Sequence, residues 1–96
     1  MKVVFSDRAR LRLHQIHRYI AEDNPVAAER VTIRIRQTVE LLADFPRVGR
    51  NWQGGPTRAL NVSGLPYRVH YRFDEAAETV QIITIAHMSR KMPRLD

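Results

Sequence analysis

The clearest chemical pattern in the sequence is the alternation of basic and apolar side chains at 67–73, YRVHYRF. Arg68, His70 and Arg72 occupy every second position, so in an extended strand they project from the same side of a sheet. A guanidinium binds phosphate or carboxylate oxygens, and an imidazole exchanges a proton near neutral pH. The pattern predicts one of two surfaces: a face that binds an anionic target, or a solvated sheet face without a ligand.

A second basic cluster ends the most apolar segment of the chain, at 82–93, IITIAHMSRKMP. His87, Arg90 and Lys91 come after residues that are typical of a strand inside a sheet. Two interpretations are open: a solubilising tail, or a set of groups that the strand delivers to an anionic partner. A histidine that ends a strand is also more often a packing and hydrogen-bonding group than a general acid or base.

Two other aromatic or imidazole features are candidates for binding. Trp52 lies in the segment 46–56, PRVGRNWQGGP, a predicted loop in which it either anchors a partner or covers the edge of the core. His14 and His17 have the i, i+3 spacing that lets two imidazoles share a metal ion. Because the sequence offers no evident third ligand, we expect a solvated helix face there, no metal site and no cofactor.

Composition and charge limit the class of protein. At 96 residues and 11.2 kDa we expect one domain, 1–96, with one core. The absence of cysteine excludes disulfides and thiolate metal sites, and no apolar run is long enough for a signal peptide or a membrane span, so we expect a cytoplasmic protein. The formal net charge of +6, carried mainly by arginine, favours an anionic partner such as nucleic acid, the ribosome or an acidic protein surface.

The elements that must position these groups begin with two helices. KVVF at 2–5 is a short predicted strand, and Ser6 then offers an N-cap for the first helix. Asn24 offers an N-cap for the second, with Pro25 at its first position. Each helix has a stripe of apolar residues three or four positions apart, which predicts its buried face. The first stripe is Ala9, Leu13, Ile16 and Ile20, and the second is Ala28, Val31, Ile35, Val39 and Leu42. So short a link between the helices predicts an antiparallel hairpin.

Three strands are predicted after the loop: TRALNV, YRVHYRF and TVQIITIAH, joined by SGLP and DEAAE. The alternating apolar residues of YRVHYRF are expected to face the helices, which leaves its basic residues on the open side of the sheet. The nearly continuous apolar run of TVQIITIAH predicts a central strand that is covered on much of both faces. The predicted fold class is α+β, in the order β-α-α-β-β-β, with the N-terminal helical hairpin packed on a small, mainly antiparallel sheet.

Four segments in order resemble the RelE/ParE toxin superfamily: YIAEDNPVAA, FPRVGR, PYRVHY and HMSRKMP. The resemblance spans roughly residues 3 to 93, and the superfamily fold agrees with the one predicted from periodicity. It implies the toxin of a bacterial type II toxin–antitoxin system, a system associated with growth arrest and plasmid stabilisation. It also implies a cognate antitoxin as partner, with a ribbon-helix-helix start and an acidic C-terminal segment.

The superfamily has two main activities, because RelE-like toxins cut mRNA in the ribosome whereas ParE-like toxins inhibit DNA gyrase. By resemblance, a ribonuclease of this type would use Arg58, Arg68, His87 and Arg90. Its catalytic set would be incomplete, since Leu60 and Met88 stand where basic groups are expected and no tyrosine follows Tyr71.

The ending HMSRKMP resembles the ParE branch, so the resemblance favours a gyrase inhibitor that performs no catalysis. The target-binding residues it implies are Arg68, His87, Arg90, Lys91 and Trp52. A RelE-like ribosome-dependent mRNA endonuclease is the first alternative. A non-toxic basic nucleic-acid-binding module is the second, although the sequence lacks an aromatic platform for stacking bases.

Overall fold

In the computed structural model, which describes residues 1–89, a helical hairpin packs on one side of a five-stranded sheet. In chain order the elements are β1 (Lys2–Phe5), α1 (Asp7–Ala21), α2 (Pro25–Asp44), β2 (Arg50–Asn51), β3 (Arg58–Asn61), β4 (Tyr67–Asp74) and β5 (Thr79–His87). The predicted fold class is confirmed, and the sequence analysis missed only the two-residue strand β2. Within this part of the chain, no helix combines the length and apolar character needed to cross a membrane.

Both predicted helix caps form, and one of them also joins a helix to the sheet. The Ser6 hydroxyl accepts a hydrogen bond from the backbone N–H of Ala9 at 3.0 Å, and the Asn24 side chain accepts one from Ala27 at 3.0 Å. The same Ser6 hydroxyl donates to the carbonyl of Ile83 at 2.7 Å. The start of α1 is therefore fixed against β5 by a side chain that also satisfies one of the helix's free N–H groups.

The strands lie in the order β1-β5-β4-β3-β2, with β1 parallel to β5 and every other pair antiparallel. The predicted interior position of β5 is thus confirmed. Its predicted cover on both faces is seen in part: Val80, Ile82 and Ile85 are buried, and the other residues of β5 are half-buried. The pairing with β4 skips Ile83, and this β-bulge shifts the alternation by one residue, which makes the apolar run look continuous.

The core lies between the helical hairpin and the covered side of the sheet. Both predicted helix stripes contribute to it, with Ile20 and Val31 at its partly buried margin. The sheet contributes the alternating residues that the sequence pattern predicted, and the largest fully buried side chain is Tyr71. The buried members of this core are Ala9, Leu13, Ile16, Ile35, Val39, Leu42, Val62, Tyr67, Val69, Tyr71, Val80, Ile82 and Ile85.

Candidate functional site

Basic side chains line the side of the sheet that the helices leave open. Arg68, His70 and Arg72 of β4 alternate with buried residues of the same strand, as the sequence predicts. Arg50 of β2 lies opposite Ala59 of β3, and Ala59 lies opposite His70. Because directly opposed residues share a side of a sheet, Arg50 belongs to the same face.

Trp52 lies on this face in contact with three of its neighbours. The guanidinium carbon of Arg68 is 4.3 Å from the centroid of the indole ring, and that of Arg50 is 5.8 Å from it. The His70 ring meets the indole edge-on, with centroids 4.9 Å apart and an interplanar angle of 84°. Both cations are within the roughly 6 Å at which an aromatic face attracts them. We call Arg50, Trp52, Arg68 and His70 the Trp52 cluster.

A hydrogen bond between Arg68 and His70 determines the protonation state of the imidazole. The Nε–H of Arg68 donates to Nε2 of His70 at 3.0 Å. Since arginine has no acceptor, Nε2 must be the unprotonated nitrogen, and the neutral ring then carries its proton on Nδ1. Burial, and secondly the positive charge of Arg68, lower the pKa of His70 from its ordinary value of 6.5. His70 is therefore an uncharged acceptor at neutral pH.

The loop that carries Trp52 is fastened to the sheet by Tyr71. The Tyr71 hydroxyl donates to the carbonyl of Pro46 at 2.7 Å and accepts from the N–H of Gly49 at 2.9 Å. Gly49 is buried, and a Cβ at that position would lie 2.5 Å from the Tyr71 oxygen and 2.9 Å from the carbonyl oxygen of Ala59. Only glycine lets the backbone approach so closely, so Gly49 and Tyr71 together set the path toward Trp52.

Arg58, a predicted catalytic residue of the ribonuclease alternative, lies on the other side of the sheet from Arg68. It is opposite Tyr71 in the register, so it shares the helix-facing side with that residue. Its guanidinium donates to the carbonyls of Gly49 at 2.8 Å and Arg47 at 3.4 Å. In this structure Arg58 holds the same loop that Tyr71 holds.

His87 is also placed away from the Trp52 cluster. It is opposite Tyr67 at the end of β5, and the two rings meet edge-on with centroids 5.2 Å apart. Arg68 is opposite Ala86 instead, so Arg68 and His87 project from different sides. This placement matches the packing role that a strand-ending histidine most often has. The predicted residues Arg90 and Lys91 lie outside the described residues.

Of the predicted target-binding residues, the structure brings together Trp52 and Arg68. The sequence analysis placed His70 on the open side but did not include it, or Arg50, among the site residues. A signal for Arg50 was present, since Arg50 and Trp52 alternate in RNW as residues on one side of a strand do. That alternation is the pattern of the missed strand β2.

The positive charge of the open face is not neutralised by carboxylates in residues 1–89. No ion pair there involves Arg50, Arg68 or Arg72. The Nε of Arg72 instead donates to the side-chain oxygen of Gln81 at 3.0 Å. Beyond Arg72 lies a hollow of about 800 Å³ next to the β4–β5 turn, and the carboxylates of Asp74 and Glu75 are part of its lining. Guanidinium groups without a carboxylate partner, beside a half-buried indole, are suited to binding an anionic group of a larger partner.

Of the two histidines on α1, expected to form a solvated helix face, His14 is exposed and His17 is half-buried. Nε2 of His17 lies 3.0 Å from Oε1 of Glu29 on α2, so this histidine contacts the neighbouring helix. In the part of the chain that the structure describes, no group of three histidine or acidic residues is placed to hold a metal ion.

Comparison with known proteins identifies the family. Residues 3–92 match the model of the ParE toxin of the type II toxin–antitoxin system parDE. The chain belongs to this family. Its membership in the RelE/ParE superfamily, which the four segments predicted, is thereby confirmed, and the ParE toxin family is the branch that the sequence favoured.

Two relatives in sequence are both named as toxins. The protein Y4kP of Sinorhizobium fredii is 38% identical over 88 residues, which cover 92% of this chain and 88% of that protein. Toxin RelE2 of Caulobacter vibrioides is 33% identical over 89 residues, which cover 93% of this chain and 97% of that toxin. This ParE-family chain is therefore a type II toxin, and one of its relatives is named for RelE.

Solved structures of the superfamily have the same fold. A chain of the chromosomal ParDE system from P. aeruginosa superposes with a TM-score of 0.80 at 21% identity, covering 93% of this chain and 97% of that one. A chain of the toxin–antitoxin complex RelBE2 from Mycobacterium tuberculosis has a TM-score of 0.66 at 27% identity, covering 90% and 95%. Both comparisons agree with a helical hairpin on a small, mainly antiparallel sheet.

Proposed function

We propose that this ParE-family toxin inhibits DNA gyrase by binding it through the open face of the sheet. The observation that carries the proposal is the division of basic groups between the two sides. The Trp52 cluster presents unpaired guanidinium groups to solvent, whereas Arg58 and His87, which a ribonuclease would use, project from the other side.

The chemistry of RNA cleavage supports the same choice. Cleavage without a metal requires a base for the 2′-hydroxyl, a cation for the phosphorane and an acid for the leaving oxygen, all within reach of one phosphate. On the open face Arg68 supplies a cation, but the Nε2 of His70 is occupied by Arg68 itself. A positively charged surface whose one imidazole acceptor already binds a neighbouring arginine is better suited to binding a partner than to taking a proton from a 2′-hydroxyl.

We also propose that a cognate antitoxin neutralises the toxin. Two of the solved structures with this fold are toxin–antitoxin complexes, RelBE from E. coli and RelBE2 from Mycobacterium tuberculosis. In this chain α2 exposes apolar side chains that a bound segment would cover: Val26 is 62% exposed, Ile33 52% and Phe45, which follows the helix, 59%. With a net charge of +6, the toxin should favour an antitoxin with apolar anchors and an acidic C-terminal segment after its ribbon-helix-helix start.

The test is inhibition of gyrase supercoiling by the purified toxin. Wild-type protein should block supercoiling and leave ribosome-bound mRNA intact. Arg68→Ala should weaken inhibition by about tenfold or more, since a hydrogen bond to a charged group contributes roughly 1.5–3 kcal/mol. Arg36→Ala removes the same charge from an exposed position on α2 and should leave inhibition unchanged.

Cleavage of ribosome-bound mRNA with gyrase unaffected would contradict this proposal and favour the RelE-like endonuclease. Arg90→Ala is predicted to act like Arg68→Ala if the end of the chain also contacts the target. Loss of activity in Arg36→Ala to the same extent as in Arg68→Ala would mean that overall charge, and not the open face, governs inhibition.

A further inference from the structure

We infer that His70 and Trp52 are positioning residues that hold the Arg68 guanidinium in a fixed orientation for the anionic group of the target. The inference rests on the proposed function in that Arg68 is taken to touch the target. Its physical basis is a pair of contacts from separate elements, since His70 belongs to β4 and Trp52 to the segment after β2.

The two contacts constrain different movements of the same group. The indole ring packs against the guanidinium, whose carbon lies 4.3 Å from the ring centroid, and so blocks movement of the guanidinium toward the ring. The hydrogen bond from Nε of Arg68 to Nε2 of His70 fixes rotation about the long axis of the side chain. Arginine otherwise has many accessible rotamers, so restricting them before binding reduces the entropy lost on binding.

The fixed guanidinium still has donors to offer. The bond to His70 uses Nε, and no carboxylate in residues 1–89 pairs with the two terminal nitrogens. Those nitrogens form the fork that binds the two oxygens of a carboxylate or a phosphate. A second guanidinium, that of Arg50, lies near the same indole at 5.8 Å. The arrangement is a preformed receptor for an oxyanion.

The arrangement depends on a neutral His70. Protonation of Nε2 would place an N–H against the N–H of Arg68 and abolish the hydrogen bond. The charged groups on the same face near His70 are Arg68 of β4 and Arg50 of β2, both cationic, while the facing residues of β3 and β5 are the uncharged Ala59 and Thr84. We therefore expect Arg68 to lose this orientation as His70 becomes protonated.

Trp52 is the one tryptophan of the chain, so its fluorescence reports on this site directly. A protonated imidazole in contact with an indole quenches its emission. Wild-type protein should show a quenching transition with a midpoint below pH 6.5, and His70→Gln should lack it. Arg68→Met, which keeps the aliphatic stem and removes the charge, should move the midpoint to higher pH. If the fluorescence of wild type and His70→Gln had the same pH dependence, or if the midpoint did not move in Arg68→Met, the inferred contacts of His70 with Trp52 and Arg68 would be wrong.

Inhibition of gyrase by folded variants separates positioning from stability. His70→Leu should weaken inhibition by about three- to tenfold, because Arg68 loses its hydrogen-bond partner and must be ordered when the target binds. His70→Gln keeps an acceptor for Arg68 and should restore inhibition to near the wild-type level. Equal inhibition by His70→Leu and wild type would refute the positioning role. If wild-type toxin fails to inhibit gyrase while the fluorescence transitions behave as expected, the proposed target is wrong and the geometry of the cluster stands.

Discussion

The two sides of strand β4 differ in how completely their polar groups are satisfied. On the helix-facing side Tyr71 is fully buried, and its hydroxyl both donates and accepts a hydrogen bond within the protein. On the open side, Arg68 and Arg72 each use Nε in a hydrogen bond to a neighbouring side chain, and no carboxylate in residues 1–89 neutralises their charge. Groups that stabilise a fold have their partners inside it, whereas groups that bind a target keep donors free.

The connection between the two sides is the loop at 46–56. Tyr71 and Arg58 bind its backbone from the helix-facing side, at Pro46, Gly49 and Arg47. The same loop then places Trp52 on the open side, against Arg68 and His70. The comparison therefore predicts that stability and target binding can be separated by mutation at neighbouring positions of one strand.

The largest expected effect is on stability, from Tyr71→Ala. Truncation of a fully buried aromatic residue leaves a cavity, and here it also removes the two hydrogen bonds from Tyr71 to the loop, so we expect a loss of roughly 3–5 kcal/mol. Arg68→Ala, on the open side, should change stability by less than about 1 kcal/mol. Chemical denaturation of both variants measures the contrast. Similar losses in the two would mean that the open face is part of the stable core.

A smaller effect is expected from Gly49→Ala. The added methyl group would meet Tyr71 and the Ala59 carbonyl at distances that real Cβ atoms do not adopt, so the loop or the tyrosine must shift. Overpacking of this kind typically costs roughly 1–3 kcal/mol. Gly54→Ala serves as a comparison, because a Cβ there meets nothing within 4 Å, although its φ of 72° carries some strain. If Gly49→Ala is tolerated better than Gly54→Ala, the close approach does not constrain the loop.

The sequence predicted the fold well because the fold depends on periodic patterns. The helix stripes, the caps at Ser6 and Asn24 and the alternation in β4 are local signals, and each is present in the structure. The bulge at Ile83 was not predictable, because it arises from pairing between β4 and β5, and an apolar run alone looks the same with or without it.

The candidate site was predictable only in part, for a related reason. Arg68 could be placed on the open face by alternation within one strand. Its contact with Trp52 requires a loop whose path is set by Tyr71 and Gly49, more than twenty residues apart in sequence. The family resemblance made Arg58 a candidate catalytic residue of a ribonuclease. The register of β3 instead places it on the helix-facing side, where its guanidinium donates to backbone carbonyls. Residue type suggests the chemistry, and tertiary contacts decide which groups are available for it.

The smallest expected effect is on the pH dependence of stability, in which Tyr71 and His70, on opposite sides of β4, act at opposite ends of the pH range. Burial raises the pKa of Tyr71 above its ordinary 10.0, so the unfolded chain ionises first and stability falls as pH rises through about 10. The pKa of His70 is lowered from 6.5, so the unfolded chain takes up the proton first. The stability that depends on a neutral His70 is thus complete above pH 6.5 and declines as pH falls toward the folded pKa.

Denaturation between pH 5 and 11 should therefore show His70→Gln flattening only the acid side of the wild-type profile, and Tyr71→Phe flattening only its alkaline side. Because each variant removes one titrating side chain and leaves the others in place, the difference between variant and wild type isolates that group. An acid decline that persists unchanged in His70→Gln would assign it to another group. In that case the open face would not contribute to the pH dependence of folding, and the two sides of β4 would differ in target binding alone.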